Sequence, residues 1–205
     1  MCISKTAVLR SLQEAFKKRI FNQIININKF TAMKLKEKVE SVLNKQINAE
    51  FWSAYLYLSM SAWFQEKGLK GFASWMFVQY QEENTHAIKL YNFVIERQGS
   101  VKLQPIGAVP SDWEDIRTLM EDVYKHECLI TEMIYDCIEV AEAEKDRATM
   151  SMLQWFVDEQ IEEEANTDDI INQLKLIGND GQAIYHLDKE LGSRTFVDST
   201  QTAGA

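Results

Sequence analysis

Four glutamates and one histidine carry the chemistry that this sequence could perform: Glu50, Glu83, His86, Glu127 and Glu163. Each glutamate interrupts a run of apolar residues spaced three and four apart, the spacing of a buried helical stripe. The clearest stripe is Ile116, Met120, Val123, Glu127, Ile130, Ile134, Cys137 and Ala141, in which a single position is a carboxylate. A second runs through Phe72, Trp75 or Met76, Gln79, Glu83, His86, Ala87, Leu90 and Val94. Leu43, Glu50, Tyr57 and Phe64 share one seven-residue line, and Phe156, Gln160, Glu163, Thr167, Ile170 and Leu174 form the last. Desolvating four carboxylates costs several kcal/mol each, so something must compensate them. No lysine or arginine falls on these stripes, which leaves protons or metal cations. Four glutamate charges match two divalent ions, and Glu83-x-x-His86 places an oxygen and a nitrogen donor on one helix face. Carboxylate and imidazole without thiolate favour iron or manganese. With so few protein ligands, coordination positions stay open for oxygen or water.

The elements that must position these groups follow from the breakers. Eight Gly and two Pro in 205 residues are too few for an all-β chain. Gly68 and Gly71, then Gly99, Pro105, Gly107 and Pro110, then Gly178 and Gly181 divide the sequence, with Gly192 closing a short last piece. Residues 111–177 lack both breakers, and the polar stretch Glu142 to Arg147 supplies a turn inside them. Helices are predicted over about 34–66, 72–98, 112–143 and 147–177, with a short fifth after Gly181. Ser111 with Glu114 reads as the capping box of the third. Short turns make the first and last pairs antiparallel hairpins, and the dozen residues from 99 to 111, extended, span the roughly 40 Å length of the second helix. The fold class expected is therefore all-α, a four-helix bundle of two hairpins joined by a long crossover. The helix midpoints fall near residues 50, 85, 127 and 162. A midpoint is unchanged when a helix is reversed, so the four inward glutamates meet at one level.

Composition excludes other classes. Net charge is −9, with 31 acidic and 22 basic residues, which argues against a nucleic-acid groove. Residues 1–32 carry six basic side chains and one acidic, a head of +5 on a body of −14. No run approaches the ~18 apolar residues of a membrane span. Cys2, Cys128 and Cys137 form no CxxC pair and fit a reducing, cytoplasmic compartment. Other residues have plainer readings. Tyr57 is core packing or, near a redox metal, a donor of a hydrogen bond or an electron. Glu164 reads as solvated surface, His126 lies about 100° from Glu127 around its helix, and His186 falls outside the bundle.

The motifs LNKQINAEFWSAYLYLSMSAW around Glu50, QEENTHA around Glu83, YKHE ending at Glu127 and LQWFVDEQIEEE around Glu163 resemble the bacterial-type non-haem ferritins over roughly residues 33–196. The resemblance implies a ferroxidase centre in which Glu50, Glu83 and His86 hold one iron and Glu83, Glu127 and Glu163 the second. Glu83 would bridge, with Gln160 beside the second iron. It also implies that Glu82, Glu159 and Glu162 form a third iron site with Glu163; periodicity alone places those three on the surface. Tyr57 and Trp155 match aromatic positions that would supply electrons. The family activity is oxidation of Fe(II) by O2 or H2O2, with ferric mineral deposited inside a homo-oligomeric shell of 24 subunits. Bacterioferritins carry a second Glu-x-x-His on the later hairpin, absent here, and their haem-ligating methionine would align with Asn84, so no haem is expected. Rubrerythrin-like CxxC pairs are missing. Met33 opens the matching region, so residues 1–32 are expected to lie outside the fold, as an upstream extension of a mis-assigned start rather than a targeting peptide, and 197–205 to be a flexible tail. The alternative activity is a di-iron oxidoreductase or peroxide scavenger without storage; a non-catalytic bundle would need the central acids empty or protonated.

Overall fold

The computed structural model describes Glu14, residues 16–20 and residues 34–201 of the chain. Among these the regular structure is helical: α1 (Glu37–Glu66), α2 (Lys70–Glu96), α3 (Ile116–Ala143), α4 (Arg147–Ile177) and α5 (Gly181–Leu191), followed by a 3-10 turn at Ser199–Gln201. This is the four-helix bundle with a short fifth helix that the sequence predicts. The expected extension, 1–32, falls mostly outside the described residues; Glu14 and 16–20 are helical and exposed. Residues 197–201, expected as tail, lie within the described part, and the 3-10 turn packs against α2.

Helix ends show where local chemistry decides. The third helix starts at Ile116, not at 112, and the Ser111–Glu114 capping box does not form. Asp115 takes the cap instead, its side chain accepting from the Thr118 amide at 2.7 Å. Asp115 is exposed, and amide donors at the helix start hold its carboxyl below the usual carboxylate range. Asp146 caps α4 through the Thr149 amide at 3.1 Å, and Asp180 caps α5. α2 has no cap of its own. Asp188 of α5 reaches its first turn and accepts from the Gly71 and Phe72 amides at 2.7 and 3.0 Å. Gly71 is required there, because a Cβ would stand 1.5 Å from the Asp188 carbonyl oxygen.

The crossover is fastened along α1. Asn44 donates to the Ser100 carbonyl at 2.9 Å and accepts from the Lys102 amide at 2.6 Å. One turn on, Asn48 repeats this pattern with the Lys102 carbonyl and the Gln104 amide. Ser59 then donates to the Pro110 carbonyl and Trp63 to Asp112. From Asn44 to Trp63 this track covers roughly 28 Å at 1.5 Å per residue, so the loop delivers α3 to the far end of α1. α3 consequently runs parallel to α2 and antiparallel to α1.

The core divides into two apolar clusters. One, rich in aromatics, packs Tyr57, Phe64, Phe72, Trp75, Met120 and Leu174 under α5. The other, mostly aliphatic, packs Val39, Leu43, Leu90, Val94, Ile134 and Leu153 at the opposite end. The four glutamates lie between them.

Candidate metal centre

Each helix contributes at mid-height. Glu50, Glu83, His86 and Glu127 are at most 2% exposed and Glu163 is 7% exposed. Ligand atoms of Glu50, Glu83 and His86 lie within 4.8 Å of one another, as do those of Glu83, Glu127 and Glu163. Glu83 belongs to both groups. The two clusters of donors that the sequence separates along 114 residues are thus adjacent, and one carboxylate joins them.

The polar neighbours orient these groups without neutralising them. Gln46, one turn before Glu50, donates to its Oε1 at 2.9 Å. The Tyr57 hydroxyl donates to Glu127 Oε1. Gln160 Nε2 lies 3.2 Å from Glu127 Oε2, from the Glu127 carbonyl and from Thr131 Oγ1. Edge-on contacts with Trp155 at 5.4 Å and Phe156 at 5.9 Å hold the His86 ring. Trp155 in turn lies beneath the Lys89 ammonium, 4.2 Å from its centroid. Tyr57 meets His126 edge to face, and His126 Nε2 pairs with Ser53 Oγ at 2.7 Å, so His126 faces away from the acids as the sequence implies.

Among the described residues seven buried side-chain atoms lack a partner, and four of them belong to these groups: Glu50 Oε2, Glu83 Oε2, Glu163 Oε2 and His86 Nε2. Buried polar groups are almost always paired, so a cluster of orphans marks a missing ligand. Protonation states agree. Burial raises Glu50 from 4.5 to about 7, against hydrogen bonds from Glu83 and Gln46 that lower it. Glu83 and Glu163 are pushed well above the carboxylate range by burial and then by neighbouring glutamates. Glu127 is also raised by burial, although Tyr57, Gln160 and Glu163 donate to it. Burial lowers His86 from 6.5 to about 4, leaving neutral imidazole, the form that ligates metal. Tyr57 is raised well above 10, by burial and then by Glu127, and stays a phenol. Carboxylate oxygen and neutral imidazole nitrogen suit iron or another first-row divalent metal.

The three outer acids are arranged differently. Glu82 and Glu159 are half-buried and Glu162 is exposed, and they do not close to the same proximity as the central groups. Burial, opposed by Arg194 and aided by Glu159, moves Glu82 to about 7. Glu164 is not simply solvated surface: it is half-buried and accepts from Thr131 Oγ1 at 2.5 Å. Sequence reading missed Arg194, which reaches Glu82 from beyond α5; nothing in the spacing signals a contact across 112 residues. Gln46 could have been found, since it lies four residues from Glu50.

Comparison with known proteins matches the ferritin-like domain to residues 40–177. A bacterial non-heme ferritin of Bacteroides fragilis strain 638R is 41% identical over 160 residues, 78% of this chain and 99% of the relative. One from Staphylococcus aureus strain MRSA252 is 37% identical over 162 residues, 79% and 98% of the two chains. Among solved structures, the open-pore ferritin of the hyperthermophilic archaeon Archaeoglobus fulgidus is 51% identical with a TM-score of 0.78, covering 80% of this chain and 99% of that one. Buried donors at mid-bundle, the hairpin–crossover–hairpin order and these likenesses agree: the chain belongs to the ferritin family.

Proposed function

We propose that this chain is an iron-storage subunit that oxidises Fe(II) at a two-iron ferroxidase centre and passes ferric product to a mineral inside a homo-oligomeric shell of 24 subunits. The observation that carries this reading is the convergence of four orphaned donor atoms between two apolar clusters. Iron is substrate and cargo here. Glu50, Glu83 and His86 would take one Fe(II), and Glu83, Glu127 and Glu163 the other, with Glu83 bridging. Gln160 and Tyr57 hold Glu127 in place. Each Fe(II) gives one electron; with two protons they reduce O2 to H2O2, or H2O2 to two waters. Tyr57, which donates to Glu127, and Trp155, edge-on to His86, would supply further electrons. A third cation would sit among Glu82, Glu159, Glu162 and Glu163. The ferritin fold would occupy residues 33–196, with 1–32 outside it, in a cytoplasmic setting; no described helix is long and apolar enough to cross a membrane.

Aerobic Fe(II) titration of the full chain, read by ferric absorbance, gel filtration and iron per subunit, tests the reading. Expected is a shell-sized particle holding many irons per chain. A monomer or dimer that oxidises iron but retains no more than the site's own complement would overturn storage and leave an oxidoreductase.

A further inference from the structure

Beyond α5 the chain turns back along α2 and α4. Gly192 starts this segment against Gly71, where a Cβ on Gly192 would come within 3.2 Å of the Gly71 Cα. Arg194 then reaches the Glu82 carboxylate. Its Nη2 stands 3.0 Å from Oε1 and 2.8 Å from Oε2, between both oxygens, while Nη1 donates to Gln79 Oε1. The guanidinium also lies over Trp75, 5.1 Å from its centroid. Further along, the Ser199 hydroxyl donates to Glu159. One short segment therefore holds two of the three outer acids, on two different helices, with hydrogen bonds. The position of Nη2 between the two Glu82 oxygens is the position a chelated cation takes, and a guanidinium and a divalent ion cannot occupy it together.

We propose that residues 192–201 form a latch over the outer acids, in which the Arg194 guanidinium stands in for the third cation and must leave Glu82 before that cation binds. This rests on the third-site reading above. The latch orders the centre's filling: the buried pair offers unpaired oxygens at once, whereas the outer position opens only when a metal ion displaces Arg194. The displaced segment loses its hold on Glu159 as well, so occupancy of the third position is expressed as release of 193–200.

The test uses the metal-stripped full chain, its Arg194→Gln and Glu162→Gln variants, and redox-inert Zn(II) as the probe. Equilibrium dialysis gives the number and affinity of bound ions, and hydrogen exchange with mass spectrometry follows residues 193–200. Arg194 makes its hydrogen bonds and ion pair with Gln79 and Glu82 and not with Glu162, so the equivalent of Zn(II) lost in Glu162→Gln identifies the outer site. Expected are about tenfold tighter binding of that equivalent in Arg194→Gln, and faster exchange of 193–200 in the unsubstituted protein when that equivalent binds, not when the central pair fills. Unchanged affinity in Arg194→Gln overturns the latch. So does tighter binding without accelerated exchange, since that is through-space charge rather than displacement. If no equivalent is lost in Glu162→Gln, the third-site reading itself fails.

Discussion

Buried acids at the ends of the bundle and buried acids at its middle obey opposite rules. Asp146 sits at the turn between α3 and α4, where the Arg97 fork contacts its two oxygens at 3.0 and 2.9 Å and the Thr149 amide adds a third bond. Those donors outweigh burial and hold its carboxyl below the usual range. Asp188 accepts from two amides of the α2 terminus. At mid-height no cation and too few donors meet Glu50, Glu83, Glu127 and Glu163, and all four are raised. Ends are neutralised because they must hold the fold. The middle lacks such partners, as the proposed metal centre requires, and the stability of the two apolar clusters carries that cost.

Substitution of the joining glutamate breaks the contrast most severely. Glu83→Ala should slow ferrous oxidation by more than about 100-fold, read as ferric absorbance, while the metal-free protein unfolds at about the same temperature, because relief of a buried acid's desolvation offsets the lost hydrogen bond to Glu50 and the cavity left behind. A lowered unfolding temperature would mean Glu83 is structural. At the other pole, Asp146→Ala removes a cap and an ion-paired partner of Arg97 together. It should cost about 3 kcal/mol in urea denaturation and leave the oxidation rate per folded subunit unchanged.

Gly71→Ala forces α5 off the α2 terminus and should cost about 1–3 kcal/mol. Its signature is faster hydrogen exchange in 181–191, again with the central chemistry intact. Protons sharpen the contrast further. Filling the centre with metal near pH 7 should release protons from the raised glutamates, measured by the buffer dependence of calorimetric heats. Glu50, raised from 4.5 to about 7, keeps its proton better in the native chain, so metal-free stability falls as pH rises through that window. His86 and His126, both lowered from 6.5 to about 4, act oppositely below 6.5; the fall is therefore cleanest between pH 6.5 and 7. Asp146, lowered, adds stability that is lost only as pH falls through its native value below 3.8. The smallest effect belongs to Tyr57→Phe, which deletes one hydrogen bond to Glu127. A loss of about 1 kcal/mol, or roughly fivefold in affinity for the second iron, is expected; an unchanged affinity with a slower final reduction of oxidant would instead mark Tyr57 as an electron donor.

Periodicity makes much of this legible because a helix repeats its exposure every few residues. Val123, Glu127, Ile130, Ile134, Cys137 and Ala141 are buried as the stripe requires, and the missed inward residue, Leu119, flanks the stripe. For the start of α3, local chemistry offers two caps, Ser111 and Asp115, and packing chooses between them. Ser111 and Glu114 satisfy a capping pattern, yet Trp63 claims Asp112 and Ser59 the Pro110 carbonyl, so the crossover stays extended to Asp115.

The sequence by itself determined the helices, their order, the crossover and the height at which four carboxylates meet, since all of these follow from spacing along one chain. Tertiary structure alone decided which groups finish the work: Asp188 capping a helix 117 residues away, Arg97 on Asp146, and Arg194 lying where a cation would sit on Glu82. Such contacts join residues with no periodic relation, and only packing brings them within hydrogen-bond reach.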